Sequence, residues 1–494
     1  MRGSHLLSAV VLFGIPAFVY ALIATKGTFN FFYPDYGWVF YNQYAIAIAN
    51  GRLWFPAEAI GPEGLYIGGR VYAYYGMLPA ILRLPFTLFA DLRDTPVSVL
   101  MNWALTTAGS AALQVAALDA YRWRATKGAS PSPRWMLLLA SACIWFFSGA
   151  ILVIQNASFY HEPFAAALLA SGLFTLISVR VLLFGDGLPS AKQLIAMAVL
   201  AGACLFARQT TTISLYAACL AWLAVSGWRT VHDRGFNAST VPAWSMTRAA
   251  APLSILFLAG VTYLALNAVR FADLGSSFPI DHYGYLLMDP DNERMITIRD
   301  QGQFHWARVA PNAIFALIGG VELREQLITM LGGGVTGVLG AIIRLAYAWT
   351  PSFLLSLMAL IWLVREGRRS RIASLALMIL GCLALGAVLQ LSYPTVFYRY
   401  HADLWPPLGF LVVLSVAFGD LVFTRASSAK MLAAAGAASF ALSAIYMSSL
   451  TLKPLPDEND AMYKPLPEAL SRLATAPGAR DPNLPGGTPP AVGP

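Results

Sequence analysis

Charge is scarce in this chain: 12% of its 494 residues are Asp, Glu, Lys or Arg, while 57% are hydrophobic. Soluble domains carry about 25% charged residues, so a water-facing surface is excluded for most of the length. Cysteine is equally sparse. Cys143, Cys204, Cys219 and Cys382 all fall inside apolar runs, where a thiol behaves as a small hydrophobe and implies neither a disulfide nor a metal framework. The chain also lacks a GxxxxGK phosphate loop, a dinucleotide fingerprint, a GxSxG elbow and a second His to complete a zinc signature at His161-Glu162. Nucleotide-driven chemistry is thereby disfavoured. No basic patch interleaved with aromatics suggests a nucleic-acid partner.

What is present is apolar sequence in membrane-length pieces. A span needs roughly 20 apolar residues to cross a ~30 Å hydrocarbon layer. About eleven stretches qualify on that criterion: 6–25, 97–118, 135–154, 163–183, 193–207, 210–227, 249–269, 343–364, 372–391, 404–424 and 430–450. The predicted fold class is an all-α polytopic membrane protein. A further apolar piece, 78–90, is broken by Pro79, Arg83 and Pro85 and suits a surface or half-inserted helix. The first stretch is expected to be a retained helix, since no small-residue cleavage site follows it.

The net charge of +8 sets the orientation. With the N-terminus cytoplasmic, the interior loops 119–134, 180–192, 228–248, 365–371 and 425–430 hold 15 Lys and Arg against four acids. That asymmetry satisfies the positive-inside rule. Two long loops, 26–96 and 270–342, then face outward, in a membrane domain covering 1–450. The remainder, 451–494, is rich in Pro and Gly and is expected to be a disordered extracytoplasmic tail.

Sidedness narrows the search for chemistry, because the acids and histidines gather on the outward side. Asp35 is the single charged residue between Lys26 and Arg52, within the aromatic run FNFFYPDYGWVFYNQY. A poorly hydrated carboxylate at the lipid boundary suits a general base. It equally suits the N-cap of the helix expected after Pro34, which should lie flat at the interface and stop at Gly51. LYIGGRVY predicts a tight hairpin turning on Gly68–Gly69. His161-Glu162-Pro163 is either part of a substrate cavity or an ordinary acidic helix start. In Tyr398-Arg399-Tyr400-His401-Ala402-Asp403, the arginine and aspartate stand four apart, the spacing of a helix-surface ion pair. Alternatively, Arg399 and His401 hold a phosphate, a role the planar guanidinium fork favours. Arg70 is a further candidate for that role. Arg208, between two short spans, faces a cavity or snorkels to the surface.

The stretch PDYGWVFYNQYAIAIANGRLWFP…EGLYIGGRVYAYYGMLPAILRLPF resembles the first extracytoplasmic loop of GT-C membrane glycosyltransferases, the relatives of dolichyl-phosphate-mannose protein mannosyltransferases. FYHEPFAAALLA, LFARQTTTISL and FYRYHADLWPPLGFL are similar to later segments of that family in the same order, so the resemblance covers about 30–425. It implies a GT-C-like fold of about eleven spans, the first loop bearing surface helices. The implied reaction, at the outer face of the plasma (inner) membrane, transfers a sugar from a polyprenyl-phosphate donor to a protein, lipid or glycan acceptor with inversion. Asp35 would be the base; Arg399, His401 and Arg70 would hold the donor phosphate. Tyr36, His161, Glu162, Tyr400 and Asp403 would line the substrate cavity. Many members carry a second acid beside the first; here Tyr36 stands there, which leaves a divalent cation open. The competing reading is a membrane transporter, or a lipid-linked glycan flippase or polymerase. Against transport, the predicted spans carry almost no ionisable groups at mid-depth.

Overall fold

The computed structural model describes residues 10–126, 134–185, 187–232, 243–272, 278–318, 349–394, 398–419 and 468–474. The expected span 430–450 and the later part of the second long loop lie outside the described residues, as does most of the expected tail. Within that tail, Glu468–Leu473 is a helix that packs on the short helix Gly284–Met288. Its apolar Leu470 is fully buried.

The principal helices are α1 (Ile15–Ala24), α2 (Trp38–Ala49), α3 (Ser98–Thr126), α4 (Arg134–Phe146), α5 (Glu162–Phe184) and α6 (Ala191–Leu205). They continue with α7 (Gln209–His232), α8 (Ala243–Phe271), α9 (Thr350–Glu366), α10 (Arg371–Leu391) and α11 (Trp405–Phe418). Six helical stretches among the described residues are long and apolar enough to cross a membrane: Arg134–Ile154, Glu162–Phe184, Gln209–Arg229, Ala249–Phe271, Arg371–Leu391 and Tyr400–Phe418. The protein is a multi-pass membrane protein.

The expected span 97–118 is the 29-residue α3, which falls short of that apolarity for a physical reason. Asn102, Thr106, Ser110 and Gln114 recur every fourth residue and are all buried. They form a polar stripe turned into the bundle. Asn102 donates to the Val153 carbonyl (2.6 Å) and Gln114 to Ser141 Oγ (2.9 Å). Polar groups bonded between helices act as glue where apolar side chains gain nothing over lipid.

Small residues set the closest approaches. α3 crosses α5 at Gly109 and Gly172, where a Cβ on Gly172 would stand 2.5 Å from the Gly109 carbonyl oxygen. α7 crosses α10 at Gly386, where a Cβ would lie 2.2 Å from the Thr210 carbonyl. Both are backbone-on-backbone contacts of the small-residue type. The poorly separated pair 193–207 and 210–227 proves to be two helices, α6 and α7, broken only at Phe206–Arg208.

The first long loop folds over one end of this bundle. Its hairpin, β1 (Leu65–Ile67) and β2 (Arg70–Tyr72), pairs antiparallel across Gly68 and Gly69. Both glycines have positive φ (57° and 73°), as a two-residue hairpin turn requires. The apolar piece 78–90 forms only a helical turn, Leu78–Ile81, and a 3-10 segment, Leu84–Leu88. The helix after Asp35 differs from expectation. α2 is buried from Trp38 through Ala45, so it lies beneath the loop rather than on an interface. Its N-cap is Gly37 in the left-handed region, and no side chain caps it.

Adding a methyl group at the α3–α5 crossing should separate the two backbones. Gly172→Ala is expected to lower stability by about 1–3 kcal/mol, measured as thermal unfolding in detergent. Gly260→Ala on α8, whose Cβ would meet nothing within 4 Å, should not.

Candidate functional site

One cavity opens at the end of the bundle covered by the first loop. It lies where α6 ends and α7 begins, beside the C-terminal ends of α8 and α10. Its cationic side is Arg208 and Arg270; its aromatic side includes Tyr74, Tyr75, Tyr160 and Phe278. Gln303 and Phe304 of the second long loop complete the rim. That segment is tethered there by the His305 amide on the Ser392 carbonyl (2.9 Å) and by Asn312 on the carbonyls of Leu391 and Tyr393 (2.7 and 2.8 Å).

Arg208 sits in the three-residue break between α6 and α7. Its Nε lies 3.0 and 2.9 Å from the two carboxylate oxygens of Asp403, and one terminal nitrogen donates to Asp403 Oδ2 (2.5 Å) and Gln390 Oε1 (3.0 Å). Thr210 and Thr211 donate to Asp403 Oδ1 at 3.1 and 3.0 Å. The guanidinium lies over the rings of Phe164 (3.8 Å) and Tyr400 (5.3 Å). It is thus fixed in plane with one flank toward the cavity, the arrangement that suits Arg to an anion. Arg270 donates to Asn267 Oδ1 (2.6 Å) and the Ala73 carbonyl (3.1 Å). Among the described residues no carboxylate lies within ion-pair distance of it.

Glu63 stands behind the aromatic side. Its Oε2 accepts from Tyr74 (3.0 Å), Tyr75 (2.8 Å) and Tyr283 (2.5 Å), and its Oε1 from Tyr160 (2.6 Å). Four phenols from three segments therefore converge on one carboxylate. Burial first, and then the Glu63 charge, push the phenols of Tyr75 and Tyr160 well above their ordinary range. They remain protonated donors.

The expected site residues are distributed unevenly around this cavity. Tyr400 lines it, and Asp403 anchors its arginine. Asp403 is paired with Arg208, 195 positions away. Arg399 lies in the 3-10 segment Tyr398–Leu404, with its side chain outside the described residues. Tyr36 stacks on Tyr160 of the wall at 6.0 Å. Asp35 adjoins the wall through Tyr36 and is not itself part of the lining. It is buried, accepts the Tyr36 amide (2.9 Å) and the Tyr33 hydroxyl (3.3 Å), and lies 3.7 Å from Lys26. Lys26 reaches it from a left-handed turn (φ 51°), so the carboxylate has a neutralising neighbour that sequence order concealed.

Four further residues are not brought into the lining. Arg70 is exposed on the hairpin and stacks on Trp54 at 4.1 Å. His401 is buried edge-on to Trp349. His161 hydrogen-bonds Ser158 (2.8 Å). Glu162 is fully buried and paired with Arg83 at 2.6 Å. Arg83 also donates to Asn42, Pro79 and Ser98, tying the first loop to the starts of α3 and α5. Glu162 is thus a structural anchor.

Sequence reasoning places Glu63 on the outward side without a role, passes over Arg270 and leaves Arg208 open. The available signals were a lone acid close to the Tyr-rich YAYY run and single arginines at helix ends. Neither of the two carboxylates at the cavity suits a divalent cation: Glu63 is hydrogen-bonded by four phenols, and both oxygens of Asp403 face Arg208 and the threonines.

No protein-family model matches the chain, and no curated protein matches it. Among solved structures, it is similar to the archaeal oligosaccharyltransferase AglB from Archaeoglobus fulgidus in complex with an inhibitory peptide and a dolichol-phosphate. That likeness has TM-score 0.44 and 15% identity, covering 97% of this chain and 61% of that one. It is also similar to ArnT from Cupriavidus metallidurans bound to undecaprenyl phosphate, at TM-score 0.41 and 15% identity, covering 83% and 60%. The chain spans about three-fifths of the length of these structures. Likeness at this level assigns no function.

Two outcomes follow from the site's construction. Arg83→Ala strands a buried carboxylate and is expected to destabilise the protein by about 3–5 kcal/mol, read from thermal unfolding in detergent. The raised phenols of Tyr75 and Tyr160 contribute stability that is complete below their ordinary value of 10.0 and is lost as pH climbs toward the folded-state value. Unfolding temperature should therefore fall above about pH 10, and less steeply in Tyr160→Phe.

Proposed function

We propose that this protein transfers a sugar from a polyprenyl-phosphate-linked donor to an acceptor hydroxyl or amide at the extracytoplasmic face of the plasma (inner) membrane. The observation that carries this reading is a cavity joining two arginines to an aromatic wall, beside a helix, α8, whose Phe257, Leu258 and Val269 face outward. A lipid phosphate needs cationic donors at headgroup depth and an apolar flank for its chain. Both lie on α8, where Arg270 ends an apolar span. The sequence resemblance and the basic interior loops support the same assignment and the same face.

In this reading Arg208 and Arg270 receive the donor phosphate, and Arg399 keeps that role on the sequence pattern alone. Asp35, which adjoins the wall through Tyr36, is assigned the general base on the sequence resemblance. The acceptor gives its proton to the carboxylate as its oxygen or nitrogen attacks the anomeric carbon. The bond from that carbon to the phosphate oxygen breaks, and the electron pair leaves with polyprenyl phosphate. Guanidinium groups stabilise the charge developing on the leaving group. A single displacement inverts the anomeric centre. Charged groups gathered at one end of the helices favour chemistry there over passage through the bilayer.

The test is incubation of purified protein with a panel of polyprenyl-phosphate sugars, following donor consumption. Asp35→Asn should lower turnover about 10²–10⁴-fold while donor binding and unfolding temperature hold. Full activity in that variant would remove the base assignment. Arg208→Lys keeps the charge and loses the fork; it should raise the KM for donor about tenfold, or ~1.4 kcal/mol. If the panel is untouched, the reading falls.

A further inference from the structure

Glu63 has no part in the transfer step described above, yet four phenols converge on its carboxylate at the edge of the cavity. Each of its phenol partners has one proton to give. Tyr75, Tyr160 and Tyr283 direct theirs at Glu63, and Tyr74 directs its own at Glu63 or at the Tyr75 oxygen 2.7 Å away. Three of these four side chains line the cavity. Toward a ligand they present ring faces and oxygen lone pairs, with no hydrogen-bond donor left. A negative charge lies directly behind them.

The charges around the cavity complete the argument. Arg208 and Arg270 are the cations of its described lining, and Asp403 and Glu63 are the carboxylates in contact with that lining. Asp403 already holds Arg208 through paired contacts. A donor phosphate would occupy what the arginines still offer. A second negative charge, carried on the sugar at this wall, would meet phenol oxygens and Glu63, and among the described side chains no cation stands on the wall itself.

Resting on the transferase reading, we propose that the phenol wall ordered by Glu63 is the sugar subsite and that it admits neutral sugars while excluding acidic ones. Glu63 is a positioning residue: it turns four O–H groups away from the ligand and places its own charge where an acidic sugar would have to sit. Neutral sugars suit this wall, because their C–H faces pack on aromatic rings and their hydroxyls can donate to the phenol oxygens.

The experiment compares a polyprenyl-phosphate hexose with the corresponding polyprenyl-phosphate hexuronic acid as donors for the full-length protein in detergent. Two like charges less than a nanometre apart in a partly buried site predict a preference of about 10- to 100-fold in kcat/KM for the hexose. Glu63→Gln removes the charge and should narrow that ratio, chiefly through a lower KM for the uronate. Tyr160→Phe removes one O–H from Glu63, leaves its charge less shielded, and should widen the ratio. The opposite signs separate charge placement from simple loosening of the loops. They also keep a readout if Glu63→Gln does not fold. Equal use of both donors by the unmodified protein, or a ratio unmoved in Tyr160→Phe, overturns the selectivity and leaves the transferase reading standing. Consumption of neither donor removes both.

Discussion

The pairing of Arg208 with Asp403 is the constraint on which the cavity depends. Both groups lie at the ends of apolar helices, where an unpaired charge is costly. Asp403 is almost fully buried, and Arg208 is partly open. Satisfying the pair requires the α6–α7 break, the end of α10 and the 398–404 segment to meet at one point, Gln390 of α10 accepting from Arg208. The cavity is the space this meeting leaves on the open flank of the guanidinium. Arg83 and Glu162 impose a similar condition deeper in the structure, binding the first loop to the ends of two helices.

Over that frame the loops are ordered by hydrogen bonds to oxygen as well as by apolar packing, which takes Phe55, Ile60, Val71 and Phe159 into the main core. Glu63 gathers tyrosines from the first loop, from the connection before α5 and from the second long loop. The backbone follows the same path: the Gly284 amide donates to the Gly64 carbonyl, and Leu65 bridges Tyr283. The loop aromatics, which composition alone would place at a lipid boundary, are largely turned inward around a carboxylate.

Much of this was legible in the sequence because helices and tight turns are local. The apolar stretches, the break near Arg208 and the Gly68–Gly69 hairpin are each specified within a few residues. The partners of the charged groups are not. Asp403 pairs with Arg208 across 195 positions. Glu63 and Tyr283 are 220 apart. Lys26 reaches Asp35 only through a left-handed backbone that a non-glycine residue rarely adopts. The polar stripe of α3 lowers its apparent apolarity because its partners belong to other segments. What escaped was therefore the matching of polar groups across the fold, from which the character of the site derives.

The walls of the cavity differ in how firmly they are held. α3 with α5, and α7 with α10, touch backbone to backbone, with no intervening rotamers to rearrange. α8, which contributes Tyr263, Leu266 and Arg270, is only 11% buried over its apolar span and packs mainly on α6. Its tilt answers to the surrounding bilayer, since a span adjusts its inclination to hydrocarbon thickness. The width of the opening, and with it the ease of substrate entry, is thus coupled to the acyl-chain length of the host membrane.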